Sequence, residues 1–288
     1  MRSRVLRTVR TDLGRLIARG NTSDVYEWVS GAVIKLLRPD IPPEWAEVEA
    51  SATHLLHVAG LPVPAVYDVV TIGSRPGIVF EKIHGETMGE TVLDRPGEVS
   101  QTIRLLVKLQ TAVNAVQGPA GLRSLNDRLR ANIVSAARLS PDIRTEVLGM
   151  LADLPDHDRV CHFDFHPNNV IAARNGPVII DWFDASAGHP AADVVRTSLL
   201  LRHGPAKSYP PEVAERIPVA HREYLAQMVR NAGMDVESLL RWEPVILAAR
   251  LAEPVPDRLL SVTHRDLVDV LTGASRLRSL LHECMVAA

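Results

Sequence analysis

Residues 161–169 read Cys161-His162-Phe163-Asp164-Phe165-His166-Pro167-Asn168-Asn169, and the chemistry of the chain turns on them. Asp164 precedes Asn169 by one short loop. At that spacing a carboxylate can reach a hydroxyl attacking a phosphorus atom, while the amide oxygen holds a magnesium ion bridging the phosphates. The alternation of His162, Asp164 and His166 implies an extended backbone. The same alternation leaves room for a metal-dependent hydrolase with the three as zinc ligands. The plainest alternative is a polar loop whose His and Asp satisfy each other.

Working outward, the apolar run Val178-Ile179-Ile180 ends in Asp181, followed by Trp182 and Phe183. An unpaired charge closing a buried strand is costly, so Asp181 calls for a cation, and magnesium is the expected one. Val170-Ile171-Ala172 and Val178-Ile179-Ile180 read as two strands about an Asn175-Gly176 turn. Only Trp182–His189 separate Asp181 from Pro190, where the next helix opens. That stretch has no room for a long peptide-docking segment, which favours a small-molecule acceptor over a protein.

The first part of the chain supplies nucleotide-binding parts. Gly20-Asn21-Thr22-Ser23 lies between two apolar runs, and Val33-Ile34-Lys35 belongs to a third. Small residues let backbone N–H groups approach phosphate oxygens, which makes Gly20, Asn21 and Ser23 candidates, and a strand-borne Lys35 can meet the α and β phosphates. Such a lysine needs an acid on the following helix. At 3.6 residues per turn, Glu49 falls inside the stripe of Trp45, Ala52 and Leu56, whereas Glu47 points away. An inward acid requires a cationic partner, so the pairing expected is Lys35 with Glu49.

The pattern before residue 84 is strand-rich: Leu13–Ala18, Val25–Val29, Ala32–Leu37, Ala65–Ile72 and Gly77–Ile83, with turns at Ser30-Gly31 and Arg75-Pro76-Gly77. One helix interrupts it between Pro43 and Gly60. From about residue 97 the periodicity is helical: Ile103–Val116, Leu122–Leu139, Ile143–Leu154, Ala191–Leu201, 211–230, 235–252 and 263–285. The expectation is an α+β chain of two lobes, a small antiparallel-sheet N-lobe over 1–83 that binds nucleotide, and a larger, mostly helical C-lobe over 84–288 with the catalytic loop and acceptor site.

Composition narrows the function classes. With 32 Lys+Arg against 34 Asp+Glu, nothing points to nucleic acid or an anionic membrane as partner. No uncharged apolar run is long enough to span a bilayer. Arg2, Arg4, Arg7 and Arg10 precede no apolar signal region, and two cysteines make no disulfide framework, so a cytoplasmic protein is expected. Nothing in the sequence sets the oligomeric state.

Taken together, Lys35, Glu49, Ile78-Val79-Phe80-Glu81-Lys82-Ile83, the loop His162–Asn169, Ile180-Asp181-Trp182 and Gly188–Asp193 resemble the aminoglycoside phosphotransferase family. That family belongs to a kinase-like superfamily with choline and other small-molecule kinases. The resemblance implies a protein-kinase-like fold and an ATP-dependent phosphotransferase, with GTP open as a substitute, Mg2+ as cofactor and a small-molecule hydroxyl as acceptor. It implies Asp164 as catalytic residue, Asn169 and Asp181 as metal ligands, backbone groups of Glu81 and Ile83 against adenine, and Asp193 as a brace for the loop. His162 and His166 become structural supports. Phe163 stands where the family usually has glycine, and His189 where it tends to have aspartate. A catalytically inactive kinase-fold binding protein is the remaining alternative.

The acceptor's charge can be approached by counting. Residues 201–288 hold equal numbers of acidic and basic side chains. A polycation would need matched carboxylates on leaving water. Asp184, beside the centre, is one possible acceptor-side carboxylate, with Glu243, Glu253 and Asp257 as others, but no cluster stands out. The expectation is a neutral or singly charged hydroxyl compound.

Overall fold

The computed structural model describes residues 13–203 and 210–286; the arginine-bearing N-terminus lies outside them. The chain divides into two compact units. One runs through Thr87 and takes back Asn169–Asp184; the other holds Met88–Asn168 and the chain from Ala185.

The first unit is built on a five-stranded antiparallel sheet in the order β1-β2-β3-β5-β4, with β1 at Leu16–Arg19, β2 at Ser23–Glu27, β3 at Ala32–Leu37, β4 at Val66–Ile72 and β5 at Arg75–Glu81. Strand alternation splits its core in two. Ala32, Ile34, Leu36, Val70 and Val79 cluster on one face. Leu37, Ile78 and Phe80 join Ala46 and Ala50 of helix α1 (Glu44–Val58) on the other. Ile34, Ile78 and Leu56 are wholly buried, each such burial contributing about 2 kcal/mol.

Helix α1 starts after Pro42-Pro43 as expected and stops at Gly60, whose φ of 83° no β-carbon favours. The N–H groups of Leu61 and Gly60 donate to the carbonyls of Leu56 and His57, which satisfies the helix's last acceptors. The turn between β4 and β5 corrects the sequence reading. It lies at Gly73-Ser74, while Arg75-Pro76-Gly77 are strand residues. Gly77 is there for lack of space: a β-carbon would meet Ile34 Cδ1 at 2.9 Å. The hairpin of β7 (Val170–Ala173) and β8 (Gly176–Ile179) also counts with this unit.

The second unit is helical: α2 (Met88–Asp94), α3 (Val99–Ala115), α4 (Leu125–Ser135), α5 (Pro141–Ala152), α6 (Pro190–His203), α7 (Pro211–Ala214), α8 (Ile217–Arg230), α9 (Val236–Arg250), α10 (Asp257–Leu271) and α11 (Arg276–Val286). Helices α6 and α9 lie innermost, every residue of 191–199 and 242–250 being buried. Ser124, Ser140 and Asp235 cap α4, α5 and α9 through their side-chain oxygens. The single helix expected over 263–285 is two, broken where Gly273 takes a φ of 90°. Helix α2 and the short pair β6 (Arg159–Cys161) with β9 (Ser186–Gly188) were not foreseen. Gly188 admits no side chain, since a β-carbon would lie 2.4 Å from Leu125 Cβ.

An antiparallel-sheet lobe followed by a helical lobe is the α+β, kinase-like class read from the sequence. Among the described residues no helix is long and apolar enough to cross a membrane.

Candidate active site

In the first unit the sequence-predicted pair forms. Lys35 Nζ donates to Glu49 Oε1 at 2.7 Å and to Oε2 at 2.8 Å. A third carboxylate oxygen, Asp181 Oδ1, lies 2.9 Å from the same nitrogen. Alternation explains the geometry: Lys35 lies between Ile34 and Leu36, and so faces α1 together with Leu37. On α1, Glu49 is 2% exposed, while Glu44 and Glu47 face solvent.

Burial works against the Lys35 ammonium, but Asp181 and Glu49 outweigh it and hold its pKa above the ordinary lysine value. Burial pushes the Glu49 carboxyl up to about 7; Lys35 opposes that rise, and the like charges of Asp181 and Asp184 add to it. Asp184 sits in the short turn Trp182–Asp184 of this unit. Phe183 in the same turn stacks on Trp45 of α1, with ring centroids 4.4 Å apart, so the segment after Asp181 is fastened to the helix that carries Glu49.

Asp181 follows β8 and adopts a φ of 64°. Its side chain is 42% exposed, the most open member of the triad. Asn169 is buried in the short turn Pro167–Asn169, where its carbonyl accepts from Ile180 N–H at 2.9 Å. A carboxylate and an amide suit Mg2+, which takes one or two protein oxygens and keeps phosphate and water oxygens for the rest. Gly20 and Asn21 form the exposed β1–β2 turn, closed by Gly20 N–H donating to Ser23 carbonyl at 2.8 Å; Ser23 itself is buried. Glu81 N–H donates to Ala65 carbonyl at 2.9 Å, so an adenine contact by Glu81 falls to its own carbonyl oxygen. Ile83 lies just beyond β5.

The second unit holds Asp164. The loop is not extended, contrary to expectation, because Phe163 takes a φ of 65°. Phe163 and Asp181 are the non-glycine residues with positive φ among those described. Such strain persists where neighbours over-determine it. Phe163 N–H donates to Asp193 Oδ1 at 2.7 Å, while Asp193 Oδ2 accepts from Gln110 and Asn114 of α3 at 3.0 and 2.9 Å. Asp193 therefore braces the loop. The signal for its two amide partners was available, since Gln110 and Asn114 interrupt the buried face of α3 one turn apart.

His162 is wholly buried, and its Nδ1 accepts from Asp164 N–H at 3.2 Å. His166 Nε2 lies 3.5 Å from Asp164 Oδ2. Burial would raise the Asp164 carboxyl, but the His166 contact, Arg196 and His162 together hold it well below the usual carboxylate range. Among the described residues no group of three or more His, Cys, Asp or Glu side chains is arranged to hold a metal ion. The bend at Phe163 and the burial of His162 remove the zinc-ligand geometry that an extended loop would have offered.

His189 Nδ1 accepts from Ala191 N–H at 3.1 Å, an acceptor role at the start of α6 that an aspartate could equally fill. The other carboxylates considered for an acceptor all have partners. Glu253 pairs with Arg196 and Arg250, Glu243 accepts from Ser275 Oγ at 2.5 Å, and Asp257 pairs with Arg138.

Solved structures share this fold. Aminoglycoside phosphotransferase APH(4)-Ia, as a thermostable mutant in ternary complex with AMP-PNP and hygromycin B, matches at 16% identity over 94% of each chain, with a TM-score of 0.58. A choline/ethanolamine kinase family protein from Mesorhizobium loti matches at 17% identity, over 96% of this chain and 92% of that one, with a TM-score of 0.56. An aminoglycoside-3'-phosphotransferase of type VIII matches at 19% identity, over 84% and 92%, with a TM-score of 0.54. No curated protein matches in sequence. Residues 14–217 match the model of the phosphotransferase enzyme family, APH, and it is to this family that the chain belongs.

Proposed function

We propose that the protein transfers the γ-phosphoryl group of magnesium-bound ATP to a hydroxyl of a small molecule. The observation that carries this reading is the buried lysine held by Glu49 and Asp181. A cation fixed on a sheet by an inward acid, next to an exposed carboxylate, suits the phosphates and metal of a nucleotide. Lys35 meets the α and β phosphates. Asp181 and Asn169 hold the magnesium, which supplies charge neutralisation for the phosphates when bound. Gly20, Asn21 and Ser23 cover the phosphates, and the backbone of Glu81 and Ile83 takes the adenine.

Asp164 receives the acceptor hydroxyl. Held as a carboxylate by the His166 contact, Arg196 and His162, it is a weak base, suited to aligning the hydroxyl and taking its proton late in transfer. The pairing of Glu253, Glu243 and Asp257 supports a neutral or singly charged acceptor over a polycation. Asp184 remains the carboxylate assigned to the acceptor side.

The test is a coupled nucleotide-consumption screen, with magnesium, over aminoglycosides, other antibiotics, amino alcohols and sugars, with GTP run beside ATP. Turnover with at least one acceptor, lost on Asp164→Asn, is the expected result. Nucleotide binding with no turnover across the panel would favour the inactive binding protein.

A further inference from the structure

Helix α6 and the segment following α9 place a second device under the loop, independent of Asp193. Arg196 is 4% exposed, and its Nε donates to the Phe163 carbonyl at 3.1 Å. Two of its guanidinium nitrogens each lie 2.9 Å from an oxygen of Glu253. Glu253 is also 3.3 Å from Arg250 Nη1. The Phe163 ring is 2% exposed, with the guanidinium carbons of Arg128 and Arg196 at 4.9 and 5.5 Å from its centroid.

Phe163 is thus gripped at three points: its N–H by Asp193, its carbonyl by Arg196, and its ring by the guanidinium groups of Arg128 and Arg196. A left-handed φ is natural for glycine and strained for phenylalanine. Rotation of the Phe163 backbone would swing the next residue, Asp164, out of its orientation.

We propose that Arg196, anchored by Glu253, is the positioning residue that locks Phe163 in its left-handed turn and thereby aims Asp164. Its role rests on the phosphotransfer reading, with Asp164 as the group receiving the acceptor proton. Arg196 touches no reactant; beside its grip on Phe163 it lends its charge to Asp164, and Arg196→Lys keeps that charge while removing the grip. Glycine at position 163 would hold the same turn unaided, so the clamp is a requirement specific to a side chain at that position.

The test compares wild type with Arg196→Lys, Phe163→Gly and the double variant. Lysine keeps a charge opposite Glu253 but cannot both chelate it and reach the Phe163 carbonyl. Where the lysine variant does not fold, Glu253→Gln replaces it, loosening the anchor while Arg196 stays. Two readouts are taken: kcat and nucleotide KM with the best acceptor, and amide hydrogen exchange across His162–Asn169, which needs no turnover.

Arg196→Lys should lower kcat on the order of 100-fold with nucleotide KM within about two-fold, the split expected when only the transition-state alignment is lost. Exchange at the Phe163 amide should quicken by about ten-fold, as local opening becomes easier. Both effects should shrink strongly in the Phe163→Gly background, because the two substitutions remove the same constraint. Unchanged exchange, or an equal loss in both backgrounds, overturns the clamp. A wild-type protein that consumes no nucleotide with any acceptor refutes the phosphotransfer reading instead, and the exchange data still decide the clamp.

Discussion

Lys35 Nζ is bound to both Glu49 and Asp181, at 2.7 and 2.9 Å, so one buried cation is shared by two acids. The arrangement makes the lysine the keystone of its unit as well as the proposed nucleotide contact.

Replacing Lys35 by methionine strands Glu49 as a buried acid. Its carboxyl, already pushed up to about 7, rises further. A native pKa above the ordinary glutamate value means that the folded state binds the proton more tightly, so stability falls as pH rises from that ordinary value through the native one. Denaturant unfolding of Lys35→Met should therefore show stability declining from about pH 4.3 to beyond pH 7, by up to about 1.4 kcal/mol per unit. Glu49→Gln in the same background should flatten the decline; a flat profile in the single variant would contradict the pairing.

Asp164→Asn removes the carboxylate proposed to take the proton but keeps the shape of the side chain. Turnover should fall by about 10²–10⁴-fold, with nucleotide affinity within a few-fold of wild type. Single-turnover kinetics with calorimetric nucleotide titration measure both, and near-normal turnover would sink the role given to Asp164.

Asp181→Ala acts on binding. Loss of a metal ligand should cost the magnesium nucleotide on the order of 10-fold or more in affinity, and leave the metal-free nucleotide much less affected. Titrations with and without magnesium that shift equally would argue against Asp181 as a ligand.

His221 offers a stability test far from the chemistry. It lies within 2.7 Å of Ser198 Oγ, and burial, followed by the charges of Arg202 and its neighbours, pushes its pKa down to about 3. The unfolded chain binds a proton near the ordinary histidine value and the folded chain does not. The stabilisation is therefore complete above that value and is lost as pH falls toward 3. His221→Gln should remove about 1.4 kcal/mol of acid destabilisation per pH unit across this window. Parallel acid profiles for variant and wild type would show that His221 does not titrate as described.

The residues proposed for the site stand in local patterns. Asp164 and Asn169 share a loop, Asp181 ends an apolar run, and Glu49 was selected over Glu47 by helical angle alone. Lys35 to Asp181 was not legible, for 146 residues separate them and no periodicity links a strand to a distant turn. Arg196 with Glu253, 57 residues apart, was hidden for the same reason. Local signals also misled. Proline and glycine at 76 and 77 suggested a turn, whereas Gly77 serves close packing against Ile34. The bend at Phe163 ran against its residue type, and only the tertiary grip from Asp193 and Arg196 accounts for it.

Strand β3 carries one further implication, for how the length of this chain can change. Lys35 is paired with Val25 on one side and Ile78 on the other. Because side chains alternate, inserting or deleting one residue within Ala32–Leu37 would move the ammonium into the apolar cluster of Val70 and Val79 and turn Ile34 toward Glu49. The Gly73-Ser74 turn, by contrast, lies outside any ladder and can absorb extra residues. A lineage carrying this chain can lengthen or shorten at that turn, but within β3 it can change only by substitution.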